Sequence, residues 1–187
     1  MGKTLSEMTL EELWELFPII LSEHHDCWDE WYAEEEDLIS ALQIPDIRIS
    51  HIGSTAVQNI WAKPIIDILL EIPETVFMDT VSTFLAESGY ICMANSADRM
   101  DFNKGYTDEG FADRVFHLHL RYRGDNDELY FRDYLNDNPD IAKNYERLKL
   151  SLWKKYEHNR DAYTDAKHEF VEEYTTKAKD EYNNCYA

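Results

Sequence analysis

The segment from His51 to Asp67 constrains the fold of this chain more than any other. An apolar stretch, Ile47 to Ile52, leads into the turn Gly53-Ser54, and a short connection leads on to a second apolar stretch, Ile65 to Ile72. The second stretch is a nearly continuous run of β-branched residues and leucine, which is typical of an interior strand buried on both faces. Asp67 lies at its start. This layout can hold a phosphate on backbone N–H groups beside an acid that carries a metal ion.

Acidic residues dominate the chain but are unevenly spread. The 187 residues carry a formal net charge of −20. Thirteen acidic residues oppose one basic residue over 1–46, ten oppose seven over 47–124, and fifteen oppose ten over 125–187. We therefore expect the nearly neutral middle block to accept a small phosphorylated ligand or nucleotide, and the other two blocks to repel it. No basic patch suits duplex DNA or RNA.

The length and the hydrophobic fraction of 44% predict a single domain over residues 1–187. We divide it into an acidic helical arm (1–46), a mixed sheet with a pocket (47–124) and C-terminal helices (125–187). The three cysteines have no metal-binding spacing, and the N-terminal residues lack the pattern of a signal peptide. No apolar run is long enough to cross a bilayer. The expectation is a cytoplasmic protein without a membrane partner. The Trp- and Tyr-rich arm suits a core or a homo-oligomer interface equally well.

Hydrophobic periodicity predicts an α+β chain with a mixed β-sheet. Thr9 and Glu12 form a predicted capping box at the start of the arm, and Pro18 divides the arm into two helices. Further along, the predicted elements are a helix over Thr75–Ser88 with Val76 and Phe77 facing inward, strands over Tyr90–Met93, Met100–Tyr106 and Val115–Tyr122, and three C-terminal helices from Asp127, with breaks at Asn138-Pro139 and near Asn159.

The Gly53-Ser54 turn is the candidate phosphate site. Gly53 permits close approach of the backbone and a positive φ, and Ser54 or Thr55 can cap the short helix that follows. Lys63 and Lys104 are candidate anion contacts, since Lys63 precedes a proline in an extended segment and Lys104 lies on a polar strand edge. The alternative for each is an ordinary surface lysine.

Several motifs follow one another in a characteristic order. They are His51-Ile-Gly-Ser-Thr-Ala-Val57, Ala62-Lys-Pro-Ile-Ile-Asp-Ile68, Leu85 to Tyr90, Phe102-Asn-Lys-Gly-Tyr106, Val115-Phe-His-Leu-His-Leu120 and Phe131-Arg-Asp-Tyr-Leu135, followed by Pro139, Ala142, Tyr145, Leu148 and Lys149. Together they resemble the GrpB family, which is placed in the nucleotidyltransferase-like superfamily. The resemblance covers roughly residues 45 to 175. It implies a nucleotidyltransferase-like sheet and the place of the site, but no established reaction. Gln58-Asn59 replaces the Pro-Gly that is usual in the family.

The acid pair of a nucleotidyltransferase is incomplete here. Such an enzyme places two carboxylates two residues apart on one strand, and this chain has Asp67 followed by Leu69. Glu71 shares their face, but it lies about 13–14 Å from Asp67 by the rise of a strand, too far to share an ion. Asp67 alone would therefore hold Mg²⁺ weakly.

A histidine pair offers a replacement for the missing acid. His117, His119 and Arg121 alternate along one strand and share one face. If that strand lies near Asp67, two imidazoles and a carboxylate suit Zn²⁺, Mn²⁺ or Fe²⁺ better than Mg²⁺. The alternative is that one histidine bonds a backbone carbonyl and the other bonds Asp67. Without a metal, His119, Lys104, Arg121 and the Gly-Ser turn would form an anion pocket.

Two classes of function are compatible with these residues. The first is an enzyme that transfers a nucleotidyl or phosphoryl group, with Asp67 and His119 as catalytic residues, Asp67, His117 and His119 as metal ligands, and the turn, Lys63, Lys104 and Arg121 on the phosphates. The second is a non-catalytic ligand-binding or folding-partner module that has lost the second acid. Leu69 favours the second class, whereas the retained Asp67 and the paired histidines indicate a pocket that is still used.

Overall fold

The computed structural model describes residues 3–186, so the first two residues and the last residue of the predicted domain lie outside it. Its five strands are β1 (Arg48–Ile52), β2 (Ile66–Ile72), β3 (Ile91–Asn95), β4 (Arg99–Thr107) and β5 (Gly110–Tyr122). They form a mixed sheet in the order β1-β2-β5-β4-β3. The β2–β5 pair is parallel, and the other three pairs are antiparallel.

Six α-helices surround this sheet in the described part of the chain. They are α1 (Leu10–Leu16), α2 (Cys27–Ser40), α3 (Met78–Glu87), α4 (Asp127–Asp137), α5 (Pro139–Tyr156) and α6 (Arg160–Glu181). The arrangement confirms the predicted α+β class, with a mixed sheet, an N-terminal helical arm and three C-terminal helices. Between residues 3 and 186, no helix is long and apolar enough to cross a membrane.

The predicted capping box begins α1. The Thr9 backbone N–H donates to Glu12 Oε2 at 2.9 Å, and the Glu12 N–H donates to Thr9 Oγ1 at 3.3 Å. The helix ends at Leu16, just before Pro18, so the arm is divided as predicted. The extended segment that follows is tied to the sheet region by a bridge between Ser22 and Ala62.

The two faces of β2 are covered by different helices. Ile66, Ile68, Leu70 and Ile72 are fully buried in a core that also holds residues of α2 and α3. On the opposite face, Leu69 packs against Leu129 of α4 and against Ile52. Because helices lie on both faces, β2 reads as a continuous apolar run, as expected of a strand buried on both sides. The C-terminal helices leave part of the second face open around Asp67, and the cleft forms there.

Two element boundaries differ from the predictions. Helix α3 begins at Met78 rather than Thr75, and Phe77, which was expected to face inward, is 79% exposed. Strand β5 begins at Gly110 rather than Val115, because only the tight turn Asp108-Glu109 separates it from β4. In that turn the Thr107 hydroxyl donates to the Gly110 carbonyl oxygen at 2.8 Å, and Gly110 takes a φ of +115°.

The breaks between the C-terminal helices lie where the sequence predicted them. Asn138 and Pro139 separate α4 from α5, since proline is well tolerated at the first position of a helix. The Asn159 side chain caps α6 by accepting a hydrogen bond from the Ala162 N–H at 3.0 Å. The three helices pack on one another, and α4 also contacts β1.

Candidate functional site

A cleft of about 820 Å³ opens between the Asp67 face of the sheet and helices α4, α5 and α6. Seven of the predicted site residues line it, namely Gly53, Ser54, Thr55, Lys63, Asp67, His117 and His119. The structure therefore brings together side chains from the turn after β1, from β2 and from β5. Lys104 and Arg121 do not line the cleft.

The Gly53-Ser54 turn packs directly on the Asp67 carboxylate. Gly53 has a φ of +70°, and a Cβ atom there would lie 2.2 Å from Asp67 Oδ2. Only glycine fits this position, because the φ is unfavourable for other residues and the carboxylate fills the space. A short 3-10 turn, Ser54–Ala56, follows. The Thr55 hydroxyl is buried, donates to the Ile65 carbonyl oxygen at 3.3 Å and lies 2.9 Å from His51 Nε2. Thr55 therefore fixes the turn.

Register places the acid and the histidines side by side. Asp67 of β2 is opposite His117 of β5, and Leu69 is opposite His119. Asp67 Oδ1 lies 3.2 Å from His117 Nδ1 and 4.0 Å from His119 Nε2. On its other side, His119 Nδ1 lies 2.8 Å from Asp101 Oδ1 of β4. His119 therefore stands between two carboxylates, of which Asp101 was not expected.

The pKa values of His117 and His119 are shifted in opposite directions. Burial by itself would lower the pKa of His119, but the hydrogen bond that it donates to Asp101 and the nearby Asp67 carboxylate raise the pKa to about 9. Burial lowers the pKa of His117 in spite of its contact with Asp67. Burial would raise the Asp67 pKa, yet the two imidazoles hold it well below its usual range. At neutral pH the site therefore holds an ionised Asp67 beside a protonated His119 and a neutral His117.

Four cationic side chains also line the cleft, one from the connection before β2 and three from α5 and α6. We call Lys63, Lys149, Arg160 and Lys167 the cationic cluster. The ammonium groups of Lys63 and Lys167 each lie 4.6 Å from the centroid of the Tyr163 ring. Lys149 is buried and donates to the Trp61 carbonyl oxygen. Within residues 3–186, none of the four has a carboxylate within ion-pair distance.

Burial and mutual repulsion lower the pKa values of these lysines. Desolvation, followed by the charges of Lys167 and Arg160, lowers the pKa of Lys63 to about 7. Desolvation and the charge of Lys167 lower the pKa of Lys149 to about 7. Burial lowers the pKa of Lys167 itself. Asp67, Asp127, Glu128 and Glu172 also line the cleft, so the cationic cluster is a local concentration of positive charge within a cleft of mixed charge.

Lys104 and Arg121, which were predicted as anion contacts, lie outside the cleft. Lys104 is opposite Phe116, on the other face of the sheet, and its ammonium group lies 2.7 Å from Glu35 Oε1 of α2. Arg121 shares the face of the histidines, as alternation predicted, but it is buried beyond the end of the cleft. Its guanidinium donates to the Met100 carbonyl oxygen at 3.0 Å and to Asp101 at 2.7 Å. Both side chains therefore stabilise the sheet.

The donor set around Asp67 does not fit a divalent metal ion. Within residues 3–186, no group of three His, Cys, Asp or Glu side chains is arranged to hold one. His117 uses its Nε2 atom in a contact of 2.8 Å with the Tyr106 hydroxyl, and its Nδ1 faces Asp67. Asp101 already accepts from His119 and Arg121.

Three members of the cationic cluster were not predicted as site residues. Arg160 and Lys167 lie seven residues apart on α6, which is two helical turns, so both project from one face of that helix. This spacing is visible in the sequence, but it indicates a site only once α6 is known to cover the Asp67 strand. Lys149 belongs to the motif pattern quoted above and was given no role there.

Comparison with known proteins matches most of the chain. A family model described as GrpB protein matches residues 18–177. The glutamate-rich protein GrpB of Alkalihalophilus pseudofirmus is 35% identical over 163 residues, which cover 83% of this chain and 92% of that protein. The UPF0157 protein PA4798 of Pseudomonas aeruginosa is 38% identical over 149 residues, which cover 78% of this chain and 61% of that protein. The chain therefore spans about three fifths of the length of this second relative.

A solved structure has the same architecture. The crystal structure of the conserved protein GrpB from Enterococcus faecalis aligns with a TM-score of 0.75 and 28% sequence identity. The alignment covers 87% of this chain and 99% of that chain. The two proteins thus share one fold over most of their length.

Proposed function

The chain belongs to the GrpB family, and on that premise we propose that its cleft binds a small polyanion, namely a nucleotide or another phosphorylated small molecule. The cationic cluster carries the proposal, because four cations converge there without a carboxylate in ion-pair distance in the described chain. Placing like charges together in a partly desolvated cleft is unfavourable for the empty protein. A bound anion removes that cost, so the cluster is explained better by ligand binding than by stability.

Charge balance sets the class of ligand. The cleft is lined by the cationic cluster and the protonated His119, and by Asp67, Glu128, Glu172 and the Lys179–Asp127 ion pair. With every lysine protonated, five positive charges oppose three carboxylates outside that ion pair, so the surplus is matched by a ligand with two or more negative charges, such as a phosphate ester, pyrophosphate or a nucleotide. Arginine and lysine are the residues that recognise phosphate oxygens without a metal ion. We therefore propose that binding does not require a divalent metal.

Besides the cationic cluster, Ser54 in the turn beside Asp67 is the second contact that we propose for the ligand. Ser54 lines the cleft next to Gly53, and its side chain approaches the Tyr145 phenol. The ionised Asp67 would repel a phosphate placed directly on it. We propose that the phosphates lie toward the cationic cluster, with the Asp67–His119 pair facing the group that the phosphates carry.

Isothermal calorimetry with inorganic pyrophosphate and with a nucleoside triphosphate, in the presence of EDTA, tests this proposal. We expect binding to the native chain and a loss of about tenfold or more for Lys167→Ala, the size expected for one charge-assisted contact of about 1.5–3 kcal/mol. Lys177→Ala is the matched control, since Lys177 lies on the same helix outside the cleft and pairs with Glu173. Absence of binding by the native chain, or an equal loss in both variants, would overturn the proposal.

Nucleotidyl transfer is the second candidate function, favoured by the position of His119 between Asp67 and Asp101. A histidine with a pKa of about 9 is protonated at neutral pH and suits the donation of a proton to a leaving group. The test is turnover of a labelled nucleoside triphosphate that Asp67→Asn abolishes. Binding without turnover favours instead a non-catalytic module that has kept the cleft and lost the second acid at Leu69.

A further inference from the structure

A smaller apolar cavity of about 140 Å³ adjoins the cleft. Its walls are mainly the apolar side chains of Phe17, Ile19, Ile20, Ile65, Phe111 and Val115. Lys63, Ile65 and Arg160 line both this cavity and the main cleft. Two members of the cationic cluster therefore stand at the boundary between an apolar space and a charged one.

The apolar cavity has walls that are fixed by packing. Phe17, Ile19, Ile65 and Val115 are buried, and the ring centroids of Phe17 and Phe111 lie 5.0 Å apart. Such buried walls keep a cavity open, because filling it would require neighbours to leave their packed positions. The cavity is therefore a preformed space rather than a gap between mobile side chains.

We propose that the apolar cavity receives a single aromatic ring of the ligand whose phosphates bind the cationic cluster. The inference rests on the proposed function and adds the chemical class of the ligand, an aromatic phosphate ester or polyphosphate. A cavity of about 150 Å³ in another protein takes up benzene, so the size of this one suits one ring. Binding sites for small molecules commonly combine apolar walls with a few charged groups that fix orientation, and this pair of cavities has that composition.

Charge fixes the orientation of such a ligand. Asp113 lines the apolar cavity alone, whereas Lys63 and Arg160 line both cavities. A phosphate placed in the apolar cavity would meet the Asp113 carboxylate and would lose its water to apolar walls. The ring end and the phosphate end of one molecule therefore have opposite preferences for the two cavities, and they meet at the Lys63–Arg160 boundary.

The test compares methyl phosphate with phenyl phosphate, which carry the same head group and differ in the ring. We expect phenyl phosphate to bind the native chain at least tenfold more tightly in calorimetry, because the ring leaves water. Ile20→Trp fills the mouth of the apolar cavity and should abolish the difference while leaving inorganic pyrophosphate binding unchanged. Ile91→Trp on β3 is the matched control, since Ile20 and Ile91 are both 47% exposed and Ile91 lines neither cavity.

The outcomes separate the two proposals. Equal affinity for the two esters, with pyrophosphate still bound, would overturn the aromatic subsite and leave the anion site standing. A preference for phenyl phosphate that survives Ile20→Trp would also overturn it, because the ring would then bind elsewhere. If pyrophosphate and both esters fail to bind, the proposed function fails and the subsite fails with it. A preference that is lost in Ile20→Trp and kept in Ile91→Trp supports the proposal.

Discussion

Replacing Lys63 by methionine should stabilise the empty protein. Lys63 and Lys167 each lie 4.6 Å from the centroid of one ring, so their charges are at most about 9 Å apart. At that separation the repulsion is about 0.5 kcal/mol in water and about 2 kcal/mol at an effective dielectric constant near 20. The fall of the Lys63 pKa from 10.5 to about 7 sets an upper limit of about 5 kcal/mol. Loss of the contact with the ring offsets about 0.5–1 kcal/mol, so we expect a net gain of about 1–2 kcal/mol in the free energy of unfolding.

The increase in the free energy of unfolding caused by Lys63→Met should depend on pH, because Lys63 binds protons differently in the folded and unfolded states. The pKa of Lys63 is lower in the folded chain than in the unfolded chain, so between about pH 7 and pH 10.5 the unfolded state binds more protons. The native protein therefore gains stability as the pH rises through this window, and the Lys63→Met variant lacks that contribution. The advantage of the variant should be largest below pH 7 and should shrink toward pH 10.

Urea denaturation followed by circular dichroism at pH 6.5 and pH 9 measures both effects. Lys104→Met is the control of opposite sign, because Lys104 is paired with the buried Glu35 and its removal leaves that carboxylate without its partner. The same Lys63→Met protein should bind pyrophosphate more weakly than the native chain. Destabilisation by Lys63→Met, or a stability difference that does not change with pH, would refute the argument from charge repulsion.

Three further predictions concern the cleft and its surroundings. As the pH rises from about 7 to about 9, the affinity for pyrophosphate should fall by up to about tenfold per pH unit for each lysine that titrates in this range, because bound phosphates favour the protonated amines. Calorimetry in buffers of different ionisation enthalpy should detect the proton uptake that accompanies binding. Gly53→Ala should lower the melting temperature and abolish pyrophosphate binding, since the new Cβ atom would lie 2.2 Å from Asp67 Oδ2. Gly89→Ala is the control: Gly89 has a φ of +88° but no atom within 4 Å of the position that a Cβ would take, so the change should cost only about 1 kcal/mol of backbone strain. Asp101→Asn should lower the His119 pKa from about 9, and an NMR titration measures the change. In the native chain, the stabilisation that comes with the raised His119 pKa is complete below pH 6.5 and is lost as the pH rises through 9.

The sequence was sufficient for the fold because its local signals agree with one another. The β2 strand is an unbroken apolar run, the Thr9–Glu12 box begins a helix, and Asn138-Pro139 separates two helices. Each of these features acts over a few residues, so no tertiary information is needed to interpret it. The alternation of His117 and His119 likewise placed both imidazoles on the Asp67 face, which the parallel register of β2 and β5 then brought together.

Local sequence patterns do not indicate which cationic side chains face the cleft. Lys104 pairs with Phe116 across β4 and β5, which puts it on the face covered by α2. A one-residue change in that register would have turned it toward the cleft, and the sequence does not determine the register. Arg160 and Lys167 belong to a helix whose hydrophobic pattern is weak, so the face that it presents to the sheet is set by packing among the C-terminal helices.

The parallel pairing of β2 with β5 determines when this cleft can exist. Asp67 and His117 are about fifty residues apart in the chain, and closing so long a loop costs more entropy than forming the local β4–β5 hairpin. Arg160 and Lys167 follow later still, on α6. During synthesis, which proceeds from the N-terminus, Lys63 and Asp67 emerge first, and Lys149, Arg160 and Lys167 emerge last. A partly made chain therefore presents Asp67 beside Lys63 alone, and the proposed anion site is complete only when α6 has packed against α4 and α5.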